Sequence, residues 1–263
     1  MEIRMIDVNK ILFRCHRLGD LMTEPRSKSE TLSETTKSYL KLLYRELTWD
    51  RKKQIESKYL RKGIETEENC LTLLSLEKKL FLKKNEERLN NDFITGIPDT
   101  YVGKAITETE EGYDVKSAFD WTTLPYPTDN PDKKYVFQAH GYMQLTGAKK
   151  WNVVHCLVNT PADIIDDEKK RLSYKVKALD VESSPEYIEG CKIIERNSIF
   201  DLAAFKAQYP YYDLANSEDE WNWDIPRSQR IVVFPVMRDE EIISQINARV
   251  LDCRIWIAQN LMK

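Results

Sequence analysis

Nine consecutive uncharged residues, WNVVHCLVN at 151–159, limit the fold of this chain more than any other stretch. The run is short, apolar and β-prone, so it predicts a buried strand rather than a helix. Just before it, YVFQAHGYMQLTGA (135–148) shows helical spacing. Far downstream, QRIVVFPVM (229–237) reads as another strand. Residues 239–262 then form an amphipathic helix with Asp239 and two glutamates at its positive end. Buried strands interleaved with helices point to an α/β fold with its sheet covered by helices.

The segments upstream are consistent with this. Residues 28–48 open with Ser, Thr and Glu and continue with Leu and Tyr at helical spacing, a capped helix with an apolar stripe. A second helix is expected from about Glu65 to Lys78. From Lys79 the texture changes to short apolar or alternating runs, LFLKKNEERL, NDFITGIPDTYVGKAI and GYDVKSAF, separated by turn residues. These predict consecutive strands of an antiparallel meander. A Pro-rich loop covers 124–134, and two more helices are expected near 162–177 and 198–208. The chain reads as a single domain of 1–263. It has a helical N-terminal part to about 78, a core at about 60–160, an acidic elaboration at about 160–224, and a closing strand and helix at 229–262.

Composition excludes several classes. No stretch approaches the roughly 20 apolar residues of a membrane span, and the first residues are too charged for a secretory signal. A cytoplasmic protein is expected, in the cytoplasm of a host if the gene is viral. Five scattered cysteines without a CxxC pair predict reduced, mostly buried thiols. His16, His140 and His155 show no zinc-site spacing. The formal net charge of −3 is not that of a general nucleic-acid coat. Its distribution is uneven: residues 49–62 carry six basic and two acidic side chains, and residues 160–224 carry fifteen acidic and eight basic ones. A polyanion would be drawn to the first segment and repelled by the second.

Four short pieces carry the chemistry: Glu67 near a helix start, GIPD ending in Asp99, DVKS with Asp114 and Lys116, and QAHGY with Gln138 and Tyr142. Residues two apart in a strand share a face, so Asp114 and Lys116 emerge together while Val115 points into the core. A hairpin would bring Asp99 beside Asp114. Two carboxylates that close repel, and a divalent cation removes the penalty; all-oxygen ligation suits Mg²⁺ or Mn²⁺. Gln138 and Tyr142, four apart, lie on one helix face. Each piece alone has a bland reading: a solvated D-x-K face, a turn at GIPD, a helix with its glutamine in water. His140 is expected to point away from that face. Trp121, Tyr126 and Tyr135 border the Pro-rich loop, either as packing anchors or as stacking surfaces for bases. Trp151 is expected in the core, and Trp221 and Trp223 in a partner surface or a satellite core.

Taken in order, G-x-x-D, D-x-K and Q-x-x-x-Y resemble the PD-(D/E)XK nucleases, most closely the RecB-like branch of lambda-exonuclease-type and YqaJ-type viral recombinases. The resemblance covers residues 55–160 well and the last 35 loosely. It implies a restriction-endonuclease-like core, a central mixed β-sheet flanked by helices. It also implies a metal-dependent deoxyribonuclease, an exonuclease resecting duplex DNA ends in phage-type recombination. An endonuclease, or a catalytically silent nucleic-acid-binding protein of the same fold, is the alternative. By this resemblance Asp99, Asp114 and the Val115 carbonyl hold Mg²⁺, for which Mn²⁺ would substitute. Glu67 is a further ligand, with Glu65 and Glu68 competing for that place. Lys116 acts on the attacking water, and Gln138 and Tyr142 orient the machinery or the DNA backbone. Asp114 stands where many relatives have Glu, which shortens the reach to metal, and the clustered cysteines of the iron–sulfur members are missing. A homo-oligomer is a further expectation. The acidic face of 160–224 is expected to look away from DNA, toward a protein such as a single-strand annealing partner.

Overall fold

The computed structural model describes residues 6–54, 57–215 and 222–262. The uncharged run at 151–159 becomes β7 (Lys150–Cys156), with Trp151, Val153, Val154 and Cys156 all fully buried. It lies inside a five-stranded mixed sheet of order β2-β5-β6-β7-β8. There β6 (Glu111–Ser117) runs parallel to β7, and β8 (Ile231–Met237) runs antiparallel to it. Helix α5 (Lys133–Thr146) makes the crossover between β6 and β7. A parallel pair cannot be joined by a tight turn, so the long connection that carries the helix follows from the pairing.

Strand alternation divides the packing between two faces. Trp151, Val153, Val232, Phe234 and Val236 face α5 and α9 (Glu240–Asn260), in a core that also takes side chains from α2 (Glu34–Trp49). Tyr113, Val115, Val154 and Cys156 face the other way, onto Cys70, Leu73 and Leu74 of α4 (Glu67–Lys78). Covering both faces with helices removes the apolar strand surface from water, at about 25 cal/mol per Å². The caps match the sequence: Ser33 accepts the Thr36 amide at the start of α2, and Asp239 accepts the amides of Glu241 and Ile242 at the start of α9.

The meander expected after Lys79 is not formed. Its strands divide between two sheets: β2 (Lys83–Lys84) and β5 (Thr100–Tyr101) pair antiparallel with each other and on to β6. In contrast, β3 (Leu89–Asn90) and β4 (Ile94–Gly96) form a separate sheet with β1 (Phe13–Arg14), which runs parallel to β4. The N-terminal strand recruits β4 because Phe13 and Ile94 are fully buried partners in register, a long-range pairing that local alternation does not reveal. Three helices were also not foreseen, α1 (Leu18–Leu21), α3 (Lys58–Glu65) and α7 (Pro185–Ser198). Helices α6 (Ala162–Ser173) and α8 (Leu202–Gln208) are shorter than expected. No helix among the described residues is long and apolar enough to cross a membrane. All five cysteines are free and buried.

Candidate active site

The register of β5 on β6 pairs Thr100 with Tyr113, which places Asp99, one residue before β5, against Asp114. Asp99 therefore lies in the loop just before a strand rather than at the end of one. Its Oδ2 accepts the Val115 amide at 2.8 Å. On the α5 side of β6, Asp114 is 1% exposed, and its Oδ2 lies 2.6 Å from the Lys116 ammonium. Gln138 and Tyr142 reach the same point from the facing helix. The Gln138 amide donates to Asp114 Oδ1 (3.2 Å) and to the Tyr142 hydroxyl (2.9 Å). Its carbonyl accepts from Lys116 at 3.4 Å. Both side chains are buried, so the reading of a helix with its glutamine in water does not hold. Asp99, Asp114, Lys116, Gln138 and Tyr142 thus meet in one place. Gly96, the first residue of GIPD, is needed for this: a side chain there would meet Tyr142 Cε1 at 2.9 Å and Cys15 Sγ at 2.8 Å.

Electrostatics in the cluster are strained in one direction. Burial, then the charge of Asp114, push the Asp99 carboxyl well above its ordinary range; Lys116 and the Val115 amide pull it back only in part. Burial works against the Lys116 ammonium, but Asp114 and Asp99 outweigh it and the net shift is upward. Burial and the same two carboxylates raise the Tyr142 phenol. Within this cluster Lys116 is a cation and Tyr142 a neutral phenol that accepts from Gln138.

Whether the residues fit a divalent ion can be judged from one buried atom. Asp114 Oδ2 has no well-aligned hydrogen bond and only the ion-pair contact with Lys116. A second carboxylate, Asp99, is costly to ionise beside it. The oxygen-only donor set Asp99, Asp114 and the Val115 carbonyl fits Mg²⁺ or Mn²⁺ chemically. Glu67 does not join the bonded cluster. It stands at the rim, 3.4 Å from Lys84, though its charge is felt at Asp99. Glu65 is turned outward in a pair with Arg61, and Glu68, with a side chain 79% exposed, also faces Lys84. Among the described residues no three His, Cys, Asp or Glu side chains gather into a metal cage. A divalent ion at this point would therefore draw its protein ligands from two carboxylates and a backbone carbonyl.

Beside Tyr142 and Gly96 opens a pocket of about 350 Å³, whose walls include Arg14, His16, Lys52, Lys53 and Arg88. The basic segment noted in the sequence contributes Lys52 and Lys53; Arg14 and Arg88 had no local signal and are brought in by the small sheet. A larger groove of about 590 Å³ between α3 and α6 is spanned by ion pairs, Lys58 to Glu168 and Arg61 to Asp167, both 2.7 Å. Other aromatic and imidazole groups sort themselves plainly. Trp121 donates to Asn197 and is a tether, although half exposed. His140 is buried and bonded to the Val136 carbonyl of its own helix. Trp151 is core. Trp223 carries Arg196 over its ring at 5.0 Å, and Trp221 lies outside the described residues. His155, next to Lys116 in register, is driven down to about 4 by burial and then by that cation, and stays neutral.

No family model matches the sequence, and no curated protein shows significant similarity to it. Solved structures do. A phage-related exonuclease from Haemophilus somnus 129PT is similar at a TM-score of 0.66 and 26% identity, covering 95% of this chain and 95% of that one. An alkaline exonuclease from Laribacter hongkongensis is similar at a TM-score of 0.55 and 14% identity, covering 94% of this chain and 88% of that one. Its structure in complex with dAMP matches equally. The restriction-endonuclease-like fold read from motif order is thus matched by a likeness over 95% of the chain, well beyond the residues 55–160 that carry the motifs.

Proposed function

We infer that this chain, a recombinase-like member of the PD-(D/E)XK nuclease fold, is a metal-dependent deoxyribonuclease that resects ends of duplex DNA. One observation carries the reading: Asp99, Asp114, Lys116, Gln138 and Tyr142, drawn from a loop, a strand and a helix, converge on a single buried point. A structural network has no need to collect two carboxylates that repel each other. Hydrolysis has such a need, because a water must attack phosphorus while the P–O bond to the leaving oxygen breaks and charge builds on the phosphate.

Asp99, Asp114 and the Val115 carbonyl would hold Mg²⁺, or Mn²⁺ in its place, and the ion would supply an acidified water and a counter-charge to the phosphate. Lys116, as an ammonium, orients the attacking water and stabilises the developing negative charge. Gln138 ties Lys116, Asp114 and Tyr142 together and so fixes their mutual angles. Glu67 adds negative potential from the rim. Cationic walls beside Tyr142 offer the DNA backbone an electrostatic seat.

Purified protein is expected to degrade linear duplex DNA with Mg²⁺ and to stop on addition of EDTA. Lys116→Ala should lose about 10²–10⁴-fold in rate. A covalently closed circle should survive; its cleavage would redirect the assignment to an endonuclease. Full activity in Lys116→Ala would remove Lys116 from the mechanism.

A further inference from the structure

Tyr135 was expected at the edge of a loop, either as an anchor or as a surface for bases. In the structure it sits three residues before Gln138 on the same face of α5, which extends the Q-x-x-x-Y pattern one turn toward the N-terminus. The Lys116 ammonium lies over its ring, 4.9 Å from the centroid. That distance is within the range where an ammonium is attracted to the negative face of an aromatic ring. The ring is itself braced. His155 meets it edge-on at 5.7 Å, and Phe234 meets His155 edge-on at 5.8 Å. Three rings thus run from β8 across β7 to the catalytic lysine.

Lys116 needs such a wall. Its polar contacts are an ion pair at 2.6 Å to Asp114 and a long hydrogen bond of 3.4 Å to Gln138, and the side chain is 22% exposed. A four-carbon stem held by one short contact keeps much of its rotamer freedom. A ring face on another side of the ammonium restricts that freedom without neutralising the charge.

We propose that Tyr135 is a positioning residue for the hydrolytic reaction, its ring face braced by His155 and Phe234 so that the Lys116 ammonium stays against Asp114 and Gln138. This role rests on the nuclease reading only in that Lys116 is the group held. It depends on the ring and not on the hydroxyl.

Two readouts test it. The first needs no activity: reaction of Lys116 with an amine-reactive acetylating reagent, measured by peptide mass spectrometry without DNA or metal, with the exposed Lys149 as internal reference. Tyr135→Leu should label Lys116 several-fold faster than wild type, and Tyr135→Phe at close to the wild-type rate. The second is the split of kinetic constants on linear duplex DNA. Tyr135→Leu should lose about tenfold in kcat with KM held within about twofold, and Tyr135→Phe should recover kcat to within about threefold. Should Tyr135→Leu fail to fold, Tyr135→Met takes its place. Equal Lys116 labelling in the Leu or Met variant and wild type overturns the proposal. So does a raised KM with kcat intact, the signature of a base-stacking ring. If wild-type protein leaves DNA uncut, the nuclease reading fails, while the labelling comparison still decides the holding role.

Discussion

Asp99 is the residue whose environment opposes it most. It is half-buried against a second carboxylate, with one backbone amide as its firm hydrogen bond, so its folded-state pKa lies well above the unfolded one. For a raised carboxyl the stability is fully present below the unfolded value, about 3.9, and is lost as pH rises through the folded value. At neutral pH, therefore, holding Asp99 in its metal-free site costs the fold stability. Asn at this position keeps an oxygen for the Val115 amide and removes the charge. Asp99→Asn should raise the metal-free Tm at pH 7 by roughly 2–4 °C, about 1 kcal/mol for a chain of this size, while abolishing cleavage. In wild type, Mn²⁺ should raise Tm, and in the variant that rise should shrink. Thermal melts with and without Mn²⁺ measure both, and a lower Tm for the variant would count against like-charge strain at the site. At this scale the helical spacing of Gln138 and Tyr142 was legible, since side chains four apart share a face. Their burial against Asp114 was not, because it depends on which strand the helix covers.

Among the elements, β6 is the one on which the site depends, and its place is set by Gly112 as much as by its charged residues. A Cβ at Gly112 would overlap the Trp151 indole of β7. Trp151 is fully buried and cannot retreat. Gly112→Ala should therefore destabilise the protein by about 2–3 kcal/mol and disturb the β6–β7 register that carries Asp114 and Lys116. Urea unfolding followed by circular dichroism gives the size, and a loss below about 0.5 kcal/mol would show that the sheet can relax around the new methyl. The elements not foreseen divide by cause. Helix α7 had a legible signal, Ser184 as N-cap followed by Pro185 at the first helical position, hidden by the charge around it. Helix α3 had Ser57 as N-cap but no proline after it, and its Lys62 is buried with the ammonium on the Phe119 carbonyl at 2.7 Å, an inversion of the usual rule that lysine faces water. The expected meander failed because β4 found a partner at residue 13, far along the chain.

For the whole molecule, charge is separated rather than absent. A net charge of −3 conceals basic residues gathered around a pocket beside Tyr142 and an acidic surplus in the sequence of residues 160–224. A protein of this kind should bind DNA by counterion release at its basic walls, with affinity falling steeply as salt rises. Lys52→Ala and Arg88→Ala should each weaken binding to duplex DNA and reduce the slope of log K against log salt by about one. Fluorescence anisotropy with a labelled linear duplex, in Ca²⁺ in place of Mg²⁺ to suppress turnover, gives the slopes. Unchanged slopes in both variants would place the DNA elsewhere.

Sequence alone determined the class of fold, the order of the chemical pieces, and the face on which each would emerge. Those properties follow from periodicity and residue type, which are local: two residues per strand repeat, 3.6 per helical turn. Only tertiary structure decided that Glu67 stays at the rim, that Tyr135 faces Lys116 rather than solvent, and that Arg14 and Arg88 share one pocket. Each of these depends on contact between segments tens of residues apart, and such contacts are chosen by the packing of the whole core rather than by any neighbourhood in the chain.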